Sequence, residues 1–246
     1  MPVSSPIEQP SQRRHRIPVV LVPLLAAGSV LAAPVSAQER EQVVAGVLGT
    51  PAPTESCNLD DFAAVPDGTA QLYSIASEAS EARYVSEEEL SGVGANTAIG
   101  RTNAFIGQIG FDEAGMPLAC SRFDVDLRTL TSDSARRDNY LYSNTLETET
   151  YPLATFILTS VDGLDGPLVE GEETAITLIG NLTLHGVTNL VAWDAMVTLN
   201  GDTITGSAET AFRMPEYNIT PPIVGMVISI DETIKLQVDI TAKLAG

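Results

Sequence analysis

From Ser121 to Arg128 the chain alternates without a break, with Phe123, Val125 and Leu127 on one face and Arg122, Asp124, Asp126 and Arg128 on the other. A period of two is that of a half-buried strand. Thr131, Ser132 or Asp133 then offers a cap to a short helix running from Ser134 to Tyr142, after which Ser143-Asn144-Thr145 turns the chain polar. A second strand begins near Ala154, with Phe156 and Leu158 on one side and Thr155 and Thr159 on the other; Pro152 stands close to its start, where a strand tolerates proline.

The same pattern recurs on both sides of this unit. Leu72 to Ile75 and Ala82 to Val85 are short strand candidates, and Asn103 to Phe111 puts Phe105, Gly107, Ile109 and Phe111 on one face before a turn at Asp112-Glu113-Ala114-Gly115. Later come Ala175 to Leu184, Leu190 to Leu199, and a hairpin signal at Asn200-Gly201-Asp202 that leads into Thr203 to Phe212. The last strand, Thr233 to Ala242, sets Ile234, Leu236, Val238 and Ile240 against Lys235, Gln237, Asp239 and Thr241. Many short strands, few helical patterns and hairpin turns predict an all-β sandwich or barrel. Periodicity does not choose between the two.

Ahead of these strands the chain has a different character. Arg13, Arg14, His15 and Arg16 precede an apolar run from Ile17 to Ala33, and Val35-Ser36-Ala37 offers small residues for cleavage before Gln38. This predicts a signal peptide over residues 1–37 and an exported protein: periplasmic, cell-envelope or extracellular. The rival is a retained anchor, although the run falls just short of the ~18 residues of a span and contains Pro23 and Gly28. Residues 38–70, polar at first and then broken by Gly46, Gly49, Pro51 and Pro53, read as a flexible tether to a domain over 71–246. Cys57 and Cys120 meet an oxidising compartment after export, where an even count predicts a structural disulfide.

Charge and titratable residues narrow the chemistry. With 13 basic against 32 acidic residues the formal net charge is −19, which repels phosphate backbones and excludes nucleic acid as a partner. His185 is the one histidine outside the export segment, so a Ser-His-Asp triad or a histidine-rich zinc site has little to draw on. It falls at a strand end before Gly186 and reads as structural. The acidic runs Glu87-Glu88-Glu89 and Glu170 to Glu173 read as solvated loops, and Arg137-Asp138 as a local ion pair or a pin between helix and sheet. No catalytic or metal-binding residue is assigned, and no phosphate loop or nucleophile elbow is present in the sequence.

Three stretches stand in a telling order: D-L-R-T-L-T-S-D-S-A-R-R-D-N-Y-L, then E-T-E-T-Y-P-L-A-T-F, then G-N-L-T-L-H-G-V-T ending at Thr188. Together they resemble the YceI-like family of exported, lipocalin-like polyisoprenoid-binding proteins, over residues from about Leu72 to about Ala242. The resemblance implies an elongated antiparallel β-barrel with a short helical insert, of a kind with room inside for one ligand. It also implies that inward side chains line a tunnel for an isoprenoid lipid, a polyprenol or a quinone, bound without turnover and with no other cofactor. The candidate lining residues are Phe105, Ile109, Phe111, Phe123, Val125, Leu127, Phe156, Leu158, Leu184, Trp193, Phe212, Leu236 and Val238.

Two rival readings stay open: a barrel filled by its own side chains that serves interaction, and an enzyme on a lipid-like substrate with His185 as acid or base. A peripheral membrane contact and a homodimer are left open as partners. The chain departs from the family pattern at Ser77-Glu78-Ala79-Ser80, where a His-Ser pair is usual, and at Met214-Pro215-Glu216-Tyr217-Asn218, where an Arg-x-Asp-Phe-Gly type motif is usual.

Overall fold

The structure is a computed structural model that describes residues 1, 46–58 and 64–245. The export segment read over 1–37 lies outside the described residues, Met1 aside, and the fold is that of the unit Ser36–Gly246.

Eleven strands form among the described residues: β1 (Val47–Gly49), β2 (Gln71–Ile75), β3 (Glu81–Leu90), β4 (Gly94–Thr102), β5 (Phe105–Phe111), β6 (Arg122–Asp126), β7 (Leu153–Asp162), β8 (Glu173–Leu184), β9 (Val187–Asn200), β10 (Thr203–Arg213) and β11 (Val227–Leu244). Eight of them, in the order β9-β8-β7-β6-β5-β2-β11-β10, close on themselves because β10 pairs with both β11 and β9. The result is an all-β antiparallel closed barrel with one short helix, the expected class. Closure gives every strand of the ring a partner on both sides over at least part of its length.

Tight turns hold this order. Leu184 pairs with Val187 across His185 and Gly186, both at positive φ (49° and 73°), and Asn200 pairs with Thr203 across Gly201 at φ 60°. Two-residue turns of this kind match the twist of the strands they join.

The 18-residue β11 makes the barrel long. Along one edge it pairs with β10, and along the other first with β3 (227–239) and then with β2 (242–244). The β3–β4 hairpin therefore extends the wall beyond the ring. Outward from β4 a single bridge, Arg101↔Thr131, is the only strand-type pairing among the described residues. An insert completes that side: a 3-10 turn (Leu127–Thr129), α1 (Ala135–Tyr140) and a π-turn (Leu141–Thr145).

Local chemistry explains the insert's boundaries. The alternation of β6 was expected to run to Arg128 but stops at Asp126, whose carboxylate accepts from Arg128 N and caps the 3-10 turn. Ser134 caps α1 by accepting from Arg137 N, and the helix expected to reach Tyr142 gives way to the π-turn at Leu141.

Residues 46–58 fall in the stretch read as a tether, and here they lie along the barrel. Pairing of β10 with β9 ends at Glu209↔Asp194, and just beyond it β1 takes up the freed edge at Val191 and Leu190. Gly46, at φ 70°, accepts at its carbonyl from Ala192 N, and a Cβ there would fall 1.9 Å from Ala211 O. Ala52 and Asn181 exchange two hydrogen bonds of 2.8 Å each. A disulfide joins Cys57 to Cys120, with Cα atoms 5.4 Å apart.

Candidate functional site

Inward positions change in character along the barrel, as β11 illustrates. Ala242 and Ile240 sit with Tyr73, Phe111 and Ile204 in a compact plug at one end, where Tyr73 and Phe111 meet edge to face with centroids 5.4 Å apart. Past the plug the packing opens. A cavity of about 130 Å³ lies against Val238 and Leu236, and one of about 630 Å³ continues past Leu236, Ile234, Ile230 and Val227. Tyr84, Leu127, Leu130, Ala154, Leu182 and Leu236 belong to the walls of both. The two spaces are thus neighbours along one axis, and the larger is within the range of small-molecule sites.

Glycines keep this space open. A Cβ at Gly100 would sit 2.1 Å from Tyr84 Cε1, one at Gly180 2.5 Å from Phe156 Cζ, and one at Gly107 3.1 Å from Phe123 Cδ1. Each glycine lies on the strand next to the aromatic residue. The three rings rest against neighbouring backbone that only a residue without a side chain leaves free. Phe156 also meets Phe123 and Trp193, with centroids 6.2 and 6.1 Å away.

The structure distributes the candidate lining residues over three places. Phe105, Phe123, Val125, Leu127, Phe156, Trp193, Leu236 and Val238 line the smaller cavity, and Leu184 and Phe212 join Leu127 and Leu236 around the larger. Phe111 is part of the plug and Ile109 packs against it, while Leu158 is buried in the main core without facing either space. These three were expected in a tunnel because alternation tells inside from outside, not one end of a barrel from the other.

Several residues that line the larger cavity were not read as lining residues from the sequence. Tyr84, Ser86 and Glu88 face inward from β3, and Met214, Ile219, Val224 and Met226 come from the segment between β10 and β11. Glu88 corrects the reading of Glu87-Glu88-Glu89 as a solvated loop. The run lies on β3, and its middle carboxylate, only 8% exposed, accepts from Arg137 Nη2 at 3.0 Å and Asn96 Nδ2 at 2.7 Å. Arg137 also pairs with Asp133, while Asp138 accepts from the backbone N and hydroxyl of Ser132. Arg137 therefore pins α1 to the wall, and the Arg137-Asp138 pair is not a mutual one.

Polar atoms without partners accompany this ion pair. The hydroxyls of Tyr84, Ser86 and Thr145 are buried and bond to nothing among the described residues, as is Trp193 Nε1. Burial pushes the Tyr84 phenol up to about 12, against the pull of nearby Arg137, so it is a neutral hydroxyl at physiological pH.

His185 stands apart from both cavities. Its Nδ1 is 3.1 Å from Tyr217 O, its Nε2 is 3.0 Å from Glu147 Oε2, and its ring meets Tyr151 edge-on at 4.8 Å. It clasps three loops together at the turn between β8 and β9. Among the described residues no three His, Cys, Asp or Glu side chains converge on one point.

Comparison with known proteins adds a frame to this geometry. Residues 73–242 match the model of the YceI-like domain. A UPF0312 protein of Pseudomonas putida (strain W619) is 37% identical over 153 residues, which are 57% of this chain and 73% of the relative. Protein YceI of Salmonella arizonae is 31% identical over 140 residues, covering 52% and 69%. Among solved structures, a polyisoprenoid binding domain from Saccharophagus degradans implicated in plant cell wall breakdown aligns with a TM-score of 0.54 at 18% identity, covering 70% of this chain and 98% of that one. BcnA of Burkholderia cenocepacia aligns with a TM-score of 0.53 at 18% identity, covering 69% and 99%. At that identity the likeness is one of fold.

Proposed function

Because the chain belongs to the YceI-like family, we propose that its barrel binds and carries an isoprenoid lipid, a polyprenol or an isoprenoid quinone, without turning it over. The observation that carries this reading is the apolar space running from the plug to the far end of the barrel, with aromatic rings set back against glycines along it. An extended hydrocarbon placed there gains roughly 25 cal/mol for each Å² of apolar surface it buries, less ordering costs, and needs no reactive group to be held. The domain named as polyisoprenoid binding in Saccharophagus degradans supports the assignment by likeness of fold.

The rivals fare less well. A barrel filled by its own side chains does not suit a cavity of about 630 Å³, and His185 as acid or base would work on a ligand it does not face. Ile223, Met226 and Ile228 are exposed near the larger cavity and suit a peripheral membrane contact through which a water-insoluble ligand enters. With its leader read over 1–37, the protein would do this work in the periplasm, the cell envelope or the medium.

Trp193 is the only tryptophan and lines the smaller cavity, so its emission reports on occupancy. Titration with a long-chain isoprenoid quinone should quench it saturably at one equivalent, whereas the same quinone ring without its chain should not. Emission unchanged by excess long-chain quinone would contradict the reading.

A further inference from the structure

We infer that the end of the barrel away from the plug is a docking surface for an electrically neutral lipid bilayer, made by the tip of the β3–β4 hairpin and by residues 222–228. The inference rests on the lipid-binding reading and adds the source from which the lipid is drawn. Val93 at the hairpin tip is 65% exposed, and Ile223, Met226 and Ile228 are 57%, 58% and 56% exposed. A single apolar side chain in water needs no explanation, but four on two joined loops mark a surface that something covers.

The two loops form one unit. Val227 pairs with Leu90, and Ser91 N donates to Met226 O at 2.7 Å, so the hairpin tip and the 222–228 chain are joined through their backbones. Val227 N donates to Val224 O at 3.1 Å across a turn whose first central residue is Gly225, at φ 63°, and whose second is Met226. Val224, Gly225 and Met226 also line the larger cavity, so residues that face solvent stand at its mouth. An apolar chain that leaves a membrane here passes from one hydrocarbon surrounding to another without crossing water. A folded protein seated on the same loops would stop the mouth instead of feeding it.

Charge decides which membrane fits. No charged residue occurs between Glu89 and Arg101 or between Glu216 and Asp231, although the chain carries a net charge of −19. Both loops can therefore enter an apolar layer without stripping water from an ion. Behind them come Glu87 and Glu89 on β3 and Asp231 on β11, set against Arg136, whose Nη2 would lie 3.8 Å from a Cβ at Gly225. Arg137 and Arg213 are already engaged, the first by Glu88 and Asp133 and the second by Glu232. This acidic band repels an anionic membrane, and it repels the same band of a second copy brought mouth to mouth. A zwitterionic surface meets neither penalty.

The test places one tryptophan on each loop of the full chain, Val93→Trp or Ile228→Trp in a Trp193→Phe background, with Leu244→Trp near the plug as the comparison. Phosphatidylcholine vesicles brominated on the upper acyl chain should quench the first two and leave Leu244→Trp bright, whatever the residues ahead of the domain contribute to binding. In equal parts of phosphatidylcholine and phosphatidylglycerol the quenching should fall at low salt and return as salt screens the repulsion. Adding Ile223→Asp, at a residue that lines neither cavity, should raise the lipid needed for half-quenching by about tenfold or more, the size of one apolar side chain withdrawn. Equal quenching at Leu244→Trp, stronger quenching on the anionic vesicles at low salt, or indifference to Ile223→Asp would each overturn the docking. So would a dimer in sedimentation equilibrium that Ile223→Asp dissolves, which assigns the surface to a second copy, or loops unquenched by every vesicle, which leaves it to a protein. Trp193 in the wild type separates these failures from that of the lipid-binding reading: long-chain quinone added from ethanol still quenches it if only the docking is wrong, and does not if both are.

Discussion

Tyr84 keeps its place in the barrel wall because Gly100 stands across the ladder from it. All three of the nearest atoms to a Cβ built at Gly100 belong to the Tyr84 ring, so the conflict in a Gly100→Ala variant is with one movable side chain. Overpacking of this kind costs about 1–3 kcal/mol. Denaturant titration of Gly100→Ala should show such a loss, and in the Tyr84→Ala background most of it should vanish, leaving a coupling of at least ~1 kcal/mol. Additive effects would mean that ring and glycine are independent. The sequence marks none of this: Tyr84 reads as an ordinary residue of the strand candidate Ala82 to Val85, and Gly100 carries no signal of its own. Glu88 was hidden in a similar way, because its partner Arg137 lies 49 residues along the chain and three acidic residues in a row look solvated.

At the scale of elements, the insert does what a strand does elsewhere in the ring, and Arg137 is its anchor. Its guanidinium reaches from α1 to Glu88 on β3 at 3.0 Å, with side chains 21% and 5% exposed. Removing one partner of such a pair leaves a buried charge uncompensated, so Arg137→Met should cost about 2–3 kcal/mol, somewhat below the loss typical of fully buried pairs. The double variant Arg137→Met, Glu88→Met should regain at least ~1 kcal/mol of it. A double variant less stable than Arg137→Met would refute the pin.

Elements with a strict period were legible in the sequence: β5, β6, β7 and the three long strands of the last hairpins lie where the alternation put them, β6 ending two residues early, whereas the helix cap is Ser134 and not Thr131, Ser132 or Asp133. Two kinds of element were not. The strap at 46–58 owes its order to an edge that β9 exposes only after β10 has splayed away, and the π-turn that ends α1 is tied by the Tyr142 hydroxyl to Leu130 O. Such causes are tertiary and leave no local period.

Across the whole molecule, the interior grades from the aromatic plug through a narrow apolar cavity to a wide one with polar groups in its wall. Sequence alternation identified the inward face correctly along β5 and β7, but Ile109 and Phe111 belong to the plug and Leu158 to the solid core. Position along the axis depends on strand tilt and register, which a single strand does not encode. Family likeness supplied what periodicity lacked, the choice of a barrel over a sandwich.

The central claim is that this space exists to hold one isoprenoid chain. It is tested most directly by native mass spectrometry of the protein purified without detergent from the cells that make it, with the lipid extract of the same sample analysed in parallel. One polypeptide should carry the mass of one isoprenoid lipid, and that lipid should be absent from a Phe156→Asp variant that still folds, since a carboxylate in the cavity must keep its hydration. A bare polypeptide mass that stays bare after incubation with polyprenol and long-chain quinone would contradict the account.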